Sequence, residues 1–202
     1  MIEHLNKIIF LFLNANYHSP HWKIVSARYL AKYLIYIVPL IIIFLWCWSP
    51  KENIYSQRKI IVKSLLAISI AIFISWIIRK YFPYSRPFQQ GIGYLFIKHS
   101  LTHSIPSNHG IVIFTFSIAF LLWSRIFLGL GLFFLGIIIA WSRIYLGLHW
   151  PGDMMISFLV GLISCYLAQF VWLTYGKKIF YLVLKIYRYS FYFLIRKNLI
   201  KY

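Results

Sequence analysis

An all-α integral membrane protein, a bundle of five or six transmembrane helices with amphipathic terminal helices, is the fold class this sequence predicts. Three observations carry that expectation. Of its 202 residues 61% are hydrophobic and the mean hydropathy is +0.75, whereas soluble domains are nearer half apolar. Several apolar runs reach the ~20 residues a helix needs to cross the hydrocarbon core. The 21 Lys and Arg, against 3 Asp and Glu, gather mostly at the ends of those runs.

The formal charge of +18 would suggest nucleic acid in a soluble protein. Cations flanking apolar segments instead meet anionic headgroups and set topology. The expected partner is therefore the lipid bilayer, and no nucleic acid is expected. Cys47 and Cys165 lie inside apolar runs and give neither disulfide nor metal-ligand spacing. Residues 8–13 are too short an apolar run for a signal peptide. The chain reads as one domain, 1–202, with its core over about 29–175.

Five segments have the character of spans: roughly 29–48, 60–78, 108–124, 126–142 and 154–175. Helices are expected because a backbone in lipid must satisfy its own hydrogen bonds. Residues 1–20 form a short apolar run ending in a polar Asn14-Ala15-Asn16-Tyr17-His18-Ser19-Pro20 stretch, expected at the membrane interface. The third and fourth spans meet at Ser124-Arg125, which predicts a tight antiparallel hairpin. Gly129, Gly131 and Gly136 slim the fourth for close helix contact. Beyond residue 177, Lys178, Lys185, Arg188 and Arg196 share one helical stripe. That pattern predicts an amphipathic helix on the membrane surface, with a sixth span as the alternative.

Charge bias orients the bundle. Lys51, Arg58, Lys59, Arg125 and the seven Lys and Arg from Lys177 to Lys201 fall on one side of a five-span chain. The positive-inside rule makes that side cytoplasmic. The opposite side then holds the N-terminus and the loops 79–107 and 143–153.

Those two outer loops carry the chemistry. Arg79-Lys80 leaves the second span ahead of Arg86-Pro87, Pro106-Ser107-Asn108-His109 enters the third, and Ser142-Arg143-x5-His149-x3-Asp153 joins the fourth to the fifth. Arg86 and Arg143 offer planar, permanently charged forks that match phosphate oxygens. Ser107 and the amides near Asn108 and His109 sit at a helix N-terminus, where N–H groups and the dipole favour an anion. His149 is a nucleophile if one ring nitrogen is unprotonated, and Asp153 one turn on can hold the other N–H. His109 remains as the acid for a departing oxygen. Three carboxylates in the whole chain argue against a magnesium or two-metal site, so no metal and no cofactor are expected. His18, His21, His99 and His103 lack such motif partners and read as loop or interface histidines, with substrate contact the alternative for His99 and His103 in the first loop.

The three motifs resemble those of the type 2 phosphatidic acid phosphatase family, related to vanadium haloperoxidases. The family pattern is Lys-x6-Arg-Pro, then Pro-Ser-Gly-His, then Ser-Arg-x5-His-x3-Asp. The third motif matches at every fixed position. Asn108 replaces glycine in the second. In the first, spacing places Arg79 at the lysine position, while Lys80 has the right chemistry one residue late. The resemblance implies that His149 attacks phosphorus to form a phosphohistidine, supported by Asp153, with His109 protonating the leaving group. It implies phosphate contacts from Arg79, Arg86, Ser107, Asn108 and Arg143, with Lys80 and Ser142 as further candidates.

Within the family the likeness is greatest to small bacterial undecaprenyl pyrophosphate phosphatases, carried by Ile105–Gly110, Tyr145–Met154, Ser85-Arg86-Pro87-Phe88 and the Asn14–Pro20 stretch. It implies a multi-pass protein of the bacterial plasma membrane with an outward-facing site, a polyprenyl pyrophosphate substrate and a role in recycling the cell-wall lipid carrier. The same motifs also serve phosphatases of phosphatidylglycerol phosphate, phosphatidic acid or lipid A, and lipid A phosphotransfer. A non-catalytic lipid-binding or transport protein is the reading from another class, and the complete His149, Asp153 and His109 set argues against it.

Overall fold

The computed structural model describes residues 2–48, 50–98, 102–124, 126–197 and 200. His99, Arg125 and Lys201, named above, lie outside the described residues. Helices and their connections make up the described chain, with no strand among the described residues. In order they are α1 (Ile2–Leu13), α2 (His21–Tyr33), α3 (Ile37–Trp48), α4 (Ile54–Tyr81), α5 (Asn108–Trp123), α6 (Ile126–Tyr145), α7 (Pro151–Ser190) and α8 (Tyr192–Arg196). A 3-10 turn, Leu34–Tyr36, joins α2 to α3. Four helical stretches are long and apolar enough to cross a membrane: His21–Trp48, Ile54–Tyr81, Ile126–Tyr145 and Pro151–Ser190. The 16-residue α5 is a shorter apolar fifth.

The centre of the bundle is α4, α5 and α7 packed on one another, with α6 against α5 and α2 against α6. Ile113, Phe116, Phe120, Leu132, Ile139, Cys165 and Ala168 form its buried core. The α5–α6 hairpin is tight, as expected. A Cβ on Gly129 would lie 2.7 Å from the Leu121 backbone nitrogen, and one on Gly136 2.9 Å from the Phe114 ring. Gly131 differs from expectation, because a Cβ there would meet open space.

The observed helices outrun the apolar runs that revealed them. The first starts at His21 rather than near 29, because Ile24, Ala27 and Ala31 recur at helical spacing and are buried. Its cations Lys23, Arg28 and Lys32 lower the hydropathy without breaking that stripe. The greatest difference is at the C-terminal end. No separate helix starts at 177. Instead α7 continues to Ser190, and its 40 residues span ~60 Å at 1.5 Å each. Residues 177–190 therefore form neither a detached surface helix nor a returning sixth span. One face of this stretch is buried, at Gly176, Phe180, Leu184 and Tyr187, while the exposed side mixes Lys177, Lys178 and Lys185 with exposed Tyr181, Leu182, Ile186 and Tyr189. That buried face packs on Val62 and Trp46.

Arg58, counted above as a loop cation, belongs to α4 and is buried at this end of the bundle. Its guanidinium carbon lies 5.2 Å from the Trp46 ring centroid and 4.8 Å from that of Tyr187. It donates through Nε to the Trp46 carbonyl at 3.2 Å.

At the opposite end α1 braces the two loops of interest. Phe10 is buried against the Trp150 ring, centroids 5.0 Å apart. Asn6 Oδ1 accepts from Gly152 N at 2.9 Å. Asn14 donates through Nδ2 to the carbonyls of Tyr94 and Tyr145, both at 3.0 Å, and accepts from Tyr94 N at 2.7 Å. Gly147 turns the chain out of α6 with φ +79°, and a Cβ there would sit 2.2 Å from the Tyr94 carbonyl oxygen. Gly147→Ala combines backbone strain with this clash, so it is expected to destabilise by about 1–3 kcal/mol. Gly131→Ala should stay within about 0.5 kcal/mol of the parent. Unfolding of both variants in one detergent checks the pair, and equal stability would contradict the packing described.

Candidate active site

His149 sits in the five-residue connection between α6 and α7 and is 1% exposed. Pro151 occupies the first turn of α7, where its missing N–H costs nothing. Asp153 follows in the same turn, fully buried. Its Oδ2 accepts from Trp150 N at 2.9 Å, satisfying a free amide at the helix start, and lies 3.0 Å from His149 Nδ1. Ser104, from the long loop, donates its hydroxyl to the same oxygen.

A carboxylate beside Nδ1 places the proton there. The other ring nitrogen faces only donors in these contacts: Nε2 lies 3.0 Å from Arg86 Nη1 and 3.4 Å from Arg143 Nη2. A guanidinium has no acceptor, so Nε2 presents its lone pair. Both sides of the ring thus favour the same tautomer, with Nε2 unprotonated.

The arginines are held by backbone carbonyls. Arg86 donates to Leu148 O and Thr102 O, each at 2.9 Å, and to His103 O at 3.3 Å. Arg143 donates through Nη1 to Ala31 O at 3.2 Å. Burial pushes the Arg86 guanidinium down to about 10, with Asp153 opposing the fall and Arg79 adding to it. It remains a cation at neutral pH.

The N-terminus of α5 forms the third wall. Ser107 is its buried N-cap, and its Oγ accepts from Gly110 N at 3.4 Å. Ser157 of α7 accepts from Ser107 N at 3.0 Å and donates to Asp153 O at 2.7 Å, clamping this turn to the helix that carries Asp153. Arg79 donates to the Asn108 side-chain oxygen, and to Ser75 Oγ at 2.5 Å and Pro106 O at 3.3 Å. His109 lines a cavity with Arg143 and Leu148.

His149, Asp153, Arg86 and Arg143 therefore meet directly, Arg79 joins Asn108 at the start of α5, and His109 and Ser107 stand on the adjoining turn. Arg79 and Lys80 separate cleanly. Arg79 points to the α5 N-terminus, while Lys80 is exposed with Nζ 5.4 Å from the Trp76 ring centroid. Ser142 is not brought in: its hydroxyl donates to Ile139 O at 2.7 Å within its own helix. Asn108 meets Arg79 through its side chain, a contact that glycine could not make. The His103 side chain is exposed, and the residue reaches the site through its carbonyl.

Ser104, Ser157 and Thr102 join the site from outside the three motifs. Ser157 lies one turn after Asp153 and was detectable in principle as a polar residue on the same face of an apolar helix. Ser104 and Thr102 carry no spacing signal, because loop geometry alone brings them in. Among the described residues, no three His, Cys, Asp or Glu side chains gather as a metal site.

The pattern of the PAP2 superfamily matches residues 60–179. A protein of Escherichia coli (strain K12) named "Putative undecaprenyl-diphosphatase YbjG" is 42% identical over 201 residues, covering 100% of both chains. The crystal structure of Aquifex aeolicus LpxE superposes with a TM-score of 0.65 at 25% identity, covering 82% of this chain and 94% of that one. With the family pattern over more than half its length and a relative 42% identical over its full length, the chain belongs to the PAP2 superfamily.

Proposed function

We propose that this chain is a metal-independent membrane lipid phosphatase that converts undecaprenyl diphosphate to undecaprenyl phosphate and inorganic phosphate. The observation that carries the chemistry is the buried His149 ring, fixed by Asp153 at Nδ1 and facing Arg86 and Arg143 at Nε2. The full-length similarity to a protein named as an undecaprenyl-diphosphatase supports the choice of lipid.

In this mechanism Nε2 attacks the terminal phosphorus. An N–P bond forms, the bridging P–O bond breaks, and its electron pair leaves on the lipid phosphate. Arg79, Arg86 and Arg143, with the Ser107 hydroxyl and the Asn108 amide, surround the transferring oxygens and offset the charge that spreads onto them. Asp153 stabilises the imidazolium character that develops on His149. His109 supplies a proton where the leaving oxygen requires one. Water then attacks the phosphohistidine, His109 takes its proton, and the N–P bond breaks to release phosphate. Arginines perform the work that metal ions do elsewhere.

The site faces outward in this proposal. The basic residues Lys59, Lys177, Lys178 and Lys185 lie at the far end of the bundle, and positive charge favours the cytoplasmic side. An outer site meets the diphosphate left after a sugar unit is transferred.

Purified protein should release phosphate from undecaprenyl diphosphate at the same rate with and without EDTA. A rate that collapses in chelator and returns with Mg²⁺ would overturn the metal-independent mechanism. Competition by phosphatidylglycerol phosphate, phosphatidic acid and lipid A should be weak, and a preferred competitor would reassign the substrate. His149→Ala should abolish turnover and retain lipid binding, so residual turnover would make another residue the nucleophile. Asp153→Asn offers an amide that can still accept from Trp150 N but places no charge beside the imidazole. Its turnover should fall at least about a hundredfold, measured against its folded fraction.

A further inference from the structure

A cavity of ≈ 400 Å³ opens beside the site, walled by His109 and Arg143 together with Lys32, Lys98, Tyr36 and Ile97. A neighbouring hollow of ≈ 330 Å³ along α2 shares Lys32 and Ile97 with it and adds Arg28. No motif includes Lys32 or Lys98. They come from α2 and from the loop after α4, yet both hang from residues that hold the site together. Ala31, next to Lys32, accepts from Arg143 at 3.2 Å. Lys98 lies two residues beyond Phe96, whose carbonyl accepts from Arg28 Nε at 2.9 Å and whose N–H donates to Leu146 O at 3.2 Å. The Lys32 ammonium rests 5.1 Å from the Tyr33 ring centroid, on a flexible four-carbon stem that can turn into the cavity.

We infer that Lys32 and Lys98 form a second anion subsite that takes the lipid-side phosphate of a diphosphate substrate, and so favours lipid diphosphates over lipid monophosphates. The inference rests on the proposed attack by His149 on a terminal phosphorus. When that N–P bond forms, the electron pair of the broken P–O bond stays on the bridging oxygen. The leaving group is then a lipid monophosphate, whose second ionisation lies near pH 6. At neutral pH it departs as a dianion, and its demand is for cations more than for a proton. The three arginines are committed to the terminal phosphoryl group. Two ammonium groups lining the same cavity meet the remaining demand, as point charges able to follow a departing phosphate. A lipid phosphomonoester leaves as an alkoxide instead. It needs the His109 proton and gives the lysines no phosphate to hold.

The test uses the full-length protein in a nonionic detergent, with farnesyl diphosphate as substrate and inorganic phosphate as competitive inhibitor. The double variant Lys32→Gln/Lys98→Gln should lose about tenfold or more in kcat/KM, the scale of charge-assisted hydrogen bonds to a ligand. Its inhibition constant for inorganic phosphate should stay within about twofold, since that ion needs only the arginine pocket. Lys32→Arg/Lys98→Arg should retain most of the parent kcat/KM. An unchanged kcat/KM in the glutamine variant, or a phosphate constant that rises in step with the loss, overturns the subsite. So does a loss confined to vesicles of anionic lipid and absent in detergent, because the lysines would then be binding headgroups. A parent protein that releases no phosphate from farnesyl diphosphate or from undecaprenyl diphosphate would sink the diphosphatase reading itself. An active parent with an unaffected double variant sinks the subsite alone.

Discussion

One carboxylate oxygen joins the parts of this site. Asp153 Oδ2 receives Trp150 N at the start of α7, His149 Nδ1 from the preceding connection and the Ser104 hydroxyl from the long loop. Each contact alone is ordinary. Together they set the direction in which α7 begins, the plane of the imidazole and the path of the loop before α5. The carboxylate is fully buried, and a buried charge is tolerated only when paired and hydrogen-bonded. Breaking such a pair by removing one partner costs about 3–5 kcal/mol, so chemistry and folding rest on the same atom.

Around that single negative charge the site is cationic, and the cations are stabilised in a particular way. Arg86 is held by the carbonyls of Leu148, Thr102 and His103, and Arg143 by that of Ala31. Carbonyl dipoles satisfy guanidinium N–H groups without cancelling their charge. Carboxylates in those places would neutralise the pocket, and a phosphate would have to displace them. The scarcity of acidic residues, 3 in 202, therefore has a structural counterpart, because buried arginines are oriented and yet remain available to an anion. Arg58 repeats the pattern at the far end, between the Trp46 carbonyl and two aromatic rings.

The site is also braced from outside its motifs. Asn14 ties α1 to the loop at Tyr94 and to the end of α6 at Tyr145. Phe10 packs beneath Trp150, next to the histidine. Gly147 lets the α6–α7 connection pass within contact of Tyr94. The N-terminal helix thus acts as a strut for the two loops whose relative position brings His149 to Arg86. A helix of only 12 residues, too short to span, gains its place by packing on α6 and α7.

The sequence by itself determined the membrane class, the helical spans and the residues of the motifs, because hydropathy and spacing are local properties written along the chain. His149 and Asp153 stand one turn apart in any helix start, so their pairing was legible without coordinates. The competition between Arg79 and Lys80 was not. Both leave α4 on the same turn, and only the position of Asn108 on another helix draws Arg79 inward. Ser104 and Ser157 became visible for the same reason, as partners brought together by loop closure and helix packing. Ser142 stands in the motif as a further candidate, but its hydroxyl turns back to Ile139. Lys178 and Lys185 mark an exposed side in the C-terminal stretch, but the sequence could not say whether that stretch began a new helix. Tertiary packing decided that, because Phe180, Leu184 and Tyr187 continue the buried face of α7, and a helix with a face to bury has no reason to stop.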